Sequence, residues 1–266
     1  MMNNMTDTVK QLLILNILFF IGAQFVPQAT DLLALHYFES DKFKLWQPIS
    51  HMFMHGSLMH IFFNMFALVS FGSALEHFWG PKKFLFFYFT CGIGAALIHS
   101  GVNYYEIHSL LNELSSLSVS TADMHTMLNA NMKDGNTFRP DLLFEATKPL
   151  LEKYNFNNDN FNVLYNTACN NQSITVGASG AIYGLLVAFA FMFPNAELAL
   201  LFIPVPIKAK YFVPGIVLLD LFSGVTGYSI FGGGIAHFAH VGGALFGFIM
   251  MWYWKKNQFN QNRWDR

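Results

Sequence analysis

VGASGAIYGLLVAFAFMF, residues 176–193, starts with small residues around one hydroxyl and ends as an unbroken apolar run closed by Pro194. Read as a helix, it has no polar face to turn toward water. A helix apolar on every side belongs in a protein core or in lipid. Ser179 and Tyr183 are then its polar exceptions, at i and i+4 on one face.

Composition decides for lipid. The chain of 266 residues is 53% hydrophobic and 12% charged, with 30 phenylalanines. Soluble domains carry about twice that charged fraction. The net charge of −1 gives no electrostatic basis for nucleic-acid binding. Cys91 and Cys169 fall in an apolar span and a polar segment, which suggests neither a disulfide framework nor a metal site.

A bilayer core of about 30 Å needs roughly 20 apolar residues per helix. Segments 10–28, 58–77, 83–101, 177–194, 211–226 and 235–254 fit, predicting six transmembrane helices. The first is read as a retained span, since no small-residue cleavage site follows it. LFIPVPIKAK, 201–210, is broken by prolines and lysines and reads as an interfacial loop. Lys10, Lys82, Lys83, Lys208, Lys210, Lys255, Lys256, Arg263 and Arg266 fall on one side of this topology. The positive-inside rule then places both termini in the cytoplasm. Residues 102–172 lie on the outer side as a polar, Asn-rich insertion, with helical patterns in YYEIHSLLNELSSL and RPDLLFEATKPLLEKY. The domain reading is one membrane domain over 1–266 with that insertion inside it.

Ionisable and amide side chains within spans mark function. His60 and Asn64 share a face of the second span, Ser179 and Tyr183 open the fourth, and His240 opens the sixth. Counting about 1.5 Å per residue from the inner helix ends puts Ser179, His240, His60 and Asn64 at one level. That level is roughly 8 Å beneath the outer face of the core. Gly180 with Gly184, and Gly243 with Gly247, form small-xxx-small pairs that let two helices approach closely. His240 sits one turn from Gly243, within reach of Ser179.

A serine hydroxyl becomes a nucleophile when a neighbouring base takes its proton. His240 is the candidate base, Tyr183 a support for its ring, and His60, Asn64 and the Ser179 amide candidate donors to an oxyanion. Each feature alone has a bland reading. A serine among small residues is a common packing seam, and a lone histidine in a span is as readily structural. His51, His55 and Glu76 read as structural, His237 as cap packing. Asp220 reads as a structural hydrogen bond, being 20 residues before His240 on another helix.

Together HMFMHGSLMHIFFN (51–64), GASGAIYG (177–184) and AHVGGALFG (239–247) resemble the rhomboid intramembrane serine proteases. Trp46 before the histidines is also similar, although Gln47 stands where that family often has arginine. The resemblance implies an all-α, six-helix rhomboid bundle and a Ser179–His240 dyad without an acidic third member. It implies an oxyanion site of His60, Asn64 and the Ser179 amide, with Gly177, Gly180, Gly243 and Gly247 in support. It implies single-span membrane proteins as substrates in the bilayer, and neither metal nor cofactor. Substrates would enter between the second and fifth spans, beneath a mobile loop at 227–236 rich in glycine. Two rivals stand beside it: a catalytically inactive rhomboid-like factor that binds membrane proteins, and a transporter with a histidine proton path. The inactive relatives lose the serine or the histidine, and both are here. No pair of broken spans repeats in two halves, as a transporter would require. A bacterial plasma membrane is the expected location, since no organelle-targeting segment is evident. The insertion is expected to limit which substrates reach the cleft.

Overall fold

The computed structural model describes residues 5–26, 28–135, 137–200, 203–228 and 236–257. They form two compact units, one within 1–34, 48–99 and 176–266, the other within 35–47 and 100–175.

The first unit is helical. A helix occupies each of the six expected spans: Asp7–Phe25, Leu58–Trp79, Pro81–Glu113, Ser179–Met192, Ala209–Thr226 and His237–Asn257. The third continues past this unit into the second. Asp7–Phe25, Leu58–Trp79, Pro81–Glu113 and Ala209–Thr226 are long and apolar enough to cross a membrane. The protein is therefore an integral membrane protein with several passes. The Ser179 helix is apolar but only 14 residues long, about 21 Å at the α-helical rise.

That short helix is the centre of the unit. Gly180, Ala181, Ile182, Gly184, Leu185, Leu186, Val187 and Ala188 along it are all buried, which is why its sequence shows no polar face. Large apolar side chains on the outer helices are instead exposed, among them Leu18, Phe62, Leu218, Phe222 and Phe248. In a membrane protein such a surface meets lipid rather than water.

The glycines set the approach of the helices. A Cβ at Gly243 would lie 1.9 Å from the Gly180 carbonyl oxygen, and one at Gly247 would lie 2.8 Å from Gly184 Cα. The His240 helix thus packs backbone against backbone on the Ser179 helix. The missing side chains of Gly180 and Gly184 serve a different neighbour. Cβ atoms there would lie 2.4 Å from Ala95 Cβ and 2.4 Å from Cys91 Sγ, on the third helix. The two glycine pairs therefore let three helices close in, not two.

Glu76 is buried near the end of the second helix. Its carboxylate accepts hydrogen bonds from the Thr6 hydroxyl, from Thr8 N at 3.3 Å and from Val9 N at 3.0 Å. These are unpaired donors at the start of the first helix, where a negative charge is also favoured by the helix dipole. The structural reading of Glu76 has this as its content.

The expectation of a loop at 201–210 is corrected. Strands Glu197–Leu200 and Ile203–Lys208 pair antiparallel, with Glu197 opposite Lys208 and Leu198 opposite Ile207. Pro204 and Pro206 misled the reading because proline is excluded from central strands, yet an edge strand tolerates it.

The second unit has its own apolar core of Leu114, Met127, Met132, Leu143, Leu151 and Leu164. Helices Thr121–Leu128, Pro140–Lys153 and Asn158–Gln172 supply most of it. Ser120 caps the first by accepting from Asp123 N at 3.1 Å, and Asn157 caps the third by accepting from Asn160 N at 2.8 Å. Leu35–His36 pairs antiparallel with Ile174–Thr175, joining the unit's two chain segments. Both segments read as helical patterns are helical, YYEIHSLLNELSSL as the continuation of the third helix through Glu113.

Candidate active site

Ser179 is the first residue of its helix. Its backbone N–H therefore has no intrahelical acceptor and is free to donate elsewhere. The turn before it needs Gly177, whose φ of +122° is strained for any other residue. The Gly177 N–H donates to the His51 carbonyl at 2.9 Å, tying the serine turn to the loop that leads into the second helix. This is the structural contribution of His51.

From the start of the His237–Asn257 helix, His240 directs Nε2 to 2.9 Å from Ser179 Oγ. Tyr183 lies one turn below Ser179, its ring stacked on the imidazole with centroids 4.3 Å apart and planes 12° from parallel. The glycine seam and the stacked tyrosine thus meet at the Ser179–His240 pair.

The fifth helix adds a side chain that sequence reasoning had set aside. Asp220 is buried. Its Oδ1 lies 3.1 Å from His240 Nδ1 and 2.6 Å from His237 Nδ1, and its Oδ2 accepts from the Tyr183 hydroxyl. The expected absence of an acidic neighbour for the histidine is therefore corrected. Separation by 20 residues is no obstacle when the two helices run antiparallel as neighbours. The signal was available: Asp220 is 11 residues from the start of its helix at Ala209, about 16 Å along the axis. That is within a side chain's reach of the level assigned to His240. His237, read as cap packing, belongs to the same cluster.

The chemistry of this cluster follows from its acceptors. An ionised carboxylate only accepts hydrogen bonds. His240 must then present Nδ1–H to Asp220, which leaves Nε2 bare to receive the serine proton.

On the other side of Ser179, His60 and Asn64 line the Gly177 turn. A Cβ on Gly177 would lie 2.7 Å from His60 Nε2 and 3.5 Å from Asn64 Nδ2. Any larger residue would fill the space in front of these two nitrogens. Asn64 Nδ2 is buried with no hydrogen-bond partner among the described residues. An unpaired buried donor costs about 1–3 kcal/mol. The His55 ring stands edge-on to His60 at 5.0 Å. Burial, together with His60, pushes the His55 pKa down to about 3, so it is a neutral packing group at ordinary pH. Residues 229–235 of the expected mobile loop lie outside the described residues.

The Rhomboid domain family matches this chain over residues 42–111 and 160–257. The chain belongs to the rhomboid family. It is 27% identical over 79% of its length to an uncharacterized mitochondrial rhomboid protein of Schizosaccharomyces pombe, covering 52% of that protein. It is 33% identical to the mitochondrial rhomboid protein 1 of Saccharomyces cerevisiae, over 31% of this chain and 22% of the relative. It is 38% identical to the presenilin-associated rhomboid-like protein, mitochondrial, of Rattus norvegicus, over 30% of this chain and 19% of the relative. The chain thus spans about half or less of these relatives. Their mitochondrial names do not fit the expected bacterial membrane. That expectation rested on a missing targeting segment, and a chain covering part of its relatives carries no information on such a segment.

Proposed function

We propose that this chain is an intramembrane serine endopeptidase, cutting single-span membrane proteins in or near their helices. The observation that carries the proposal is the 2.9 Å hydrogen bond between Ser179 Oγ and His240 Nε2, set in a membrane-embedded unit. Six helices cross the bilayer in this reading, with both termini on the lysine-rich side.

The Ser179 hydroxyl attacks the substrate carbonyl carbon as His240 Nε2 takes its proton. Asp220 holds the imidazole in the tautomer that can accept and stabilises the imidazolium that forms. Tyr183 fixes the ring plane by stacking. The new oxyanion is met by Asn64 Nδ2, His60 Nε2–H and the Ser179 N–H, donors already in place before the charge develops. His240 then gives its proton to the leaving amine, which departs and leaves an acyl-serine. Water, activated by His240, hydrolyses the ester and restores Ser179. Because Asp220 contacts His240 and not the reacting atoms, it is a positioning residue.

The test uses purified protein in liposomes with a tagged single-span reporter. Wild-type protein is expected to release two fragments with one mapped cut. Ser179→Ala and His240→Ala are expected to release none while remaining folded. Equal cleavage by Ser179→Ala would overturn the assignment.

A further inference from the structure

Asp220 has one hydrogen bond more than base chemistry requires. Orientation of His240 needs the carboxylate and the stacked Tyr183. The second imidazole, His237, shares Oδ1 with His240 and so draws on the same acceptor. It does not strengthen the base. It does complete a set of ligands.

Asp220 Oδ1 faces His237 Nδ1 at 2.6 Å and His240 Nδ1 at 3.1 Å, and one ligand atom from each of the three residues lies within 4.8 Å of the others. Two imidazoles and one carboxylate form a donor set that suits zinc-like cations and leaves a fourth position for water. Metal–ligand bonds of about 2.0–2.1 Å in tetrahedral geometry place ligand atoms about 3.3 Å apart. The 2.6 Å pair would need to open slightly and the widest pair to close, changes within side-chain torsion. The side chains of Asp220, His237 and His240 remain 10%, 11% and 14% exposed, so the cluster is not sealed from solutes.

We propose that Asp220, His237 and His240 form an inhibitory site for a divalent cation of the zinc type. Coordination at His240 Nδ1 has a defined consequence. The neutral ring keeps one proton, which moves through solvent from Nδ1 to Nε2. His237 undergoes the same shift, so the two rings release no net proton. His240 then presents Nε2–H to Ser179 and has no lone pair to accept the serine proton. The cation therefore switches off the base without touching the serine or blocking the substrate path. The inhibitory consequence rests on the proteolytic reading above, whereas the site itself does not.

Binding is measured on full-length Ser179→Ala protein, tag removed and stripped with chelator, so that proteolysis plays no part. Cobalt(II) is expected to bind one per chain and to show the intense visible bands of a tetrahedral nitrogen–oxygen site. Zinc is expected to displace it. His237→Gln and Asp220→Asn are each expected to weaken cobalt binding at least about tenfold, the lower bound of the loss seen when only a group outside the ligand shell is changed. In the cleavage assay, zinc is expected to inhibit wild-type protein saturably and chelator to restore it. Measured against its own zinc-free cleavage rate, His237→Gln is expected to need at least tenfold more zinc for half inhibition. Absence of stoichiometric cobalt binding to Ser179→Ala overturns the site whatever the variants do. So does unaltered zinc sensitivity in folded His237→Gln. If cobalt binds as described but the wild-type protein cleaves nothing, the site stands and the proteolytic reading falls.

Discussion

Asn64 carries a buried amide nitrogen with no partner among the described residues, and it lies beside the turn that leads into Ser179. Asn64→Ala should therefore cost little stability but lower kcat about 10²–10³-fold, the usual loss for one oxyanion donor. Kinetics beside a thermal melt would check both halves, and a collapsed melt would return Asn64 to a structural role. Asp220→Asn should lower kcat at least tenfold with KM little changed, because an amide can donate to Nδ1 and favour the wrong tautomer. His55 gives a pH prediction. Its pKa is lowered to about 3 in the folded protein, against about 6.5 in an unfolded chain. Between those values the unfolded chain binds the extra proton, so stability is full above about pH 6.5 and declines as pH falls below it. His55→Gln should flatten that acid limb of a melting-temperature profile. Ser179, His240, His60, Asn64 and Tyr183 were legible at this scale because each is a polar group in an apolar run. Asp220 was legible as an anomaly but was assigned a purely structural hydrogen bond, since distance along the chain stood in for distance in space.

Among the elements, the seam between the Ser179 and His240 helices is made of backbone. A methyl group at residue 243 would meet the Gly180 carbonyl at 1.9 Å, where no flexible side chain can yield. Gly243→Ala should force the helices apart by about 1 Å and destabilise by about 1–3 kcal/mol, as overpacking does. A misplacement of that size should lower cleavage about 10²-fold. Gly101, with nothing within 4 Å of its missing Cβ, is the control. Gly101→Ala should leave cleavage unchanged and stabilise the helix by about 0.5–1 kcal/mol. Melting temperatures and single-turnover rates on the pair would decide. Helix positions were readable from apolar runs, but the glycine partners were only half readable. Spacing shows that two helices approach, not which side of a glycine faces which neighbour. The pairing of Glu197–Leu200 with Ile203–Lys208 was missed because its register is one that proline content obscures.

Across the whole molecule, two apolar cores serve two compact units. Removing residues 108–168 deletes most of the second core, including Leu114, Met127, Leu143 and Leu164. The membrane unit should still fold and still cut a permissive reporter. If the insertion restricts substrates, the truncated chain should cut a wider set of single-span reporters than the full chain, and an identical set would discard that role. The insertion's length and polarity marked it as a separate body, whereas its core could not be traced from sequence because short amphipathic helices do not name their partners. The buried sulfur of Cys91 has one more consequence. It occupies the notch left by Gly184 and is sealed from solution, while Cys169 in the other unit is only partly buried. The chain therefore carries a native clock for the parting of the third helix from the Ser179 helix. A maleimide should modify Cys169 promptly and Cys91 only as often as the helices part, so the ratio of the two labelling rates reports that opening without any introduced probe.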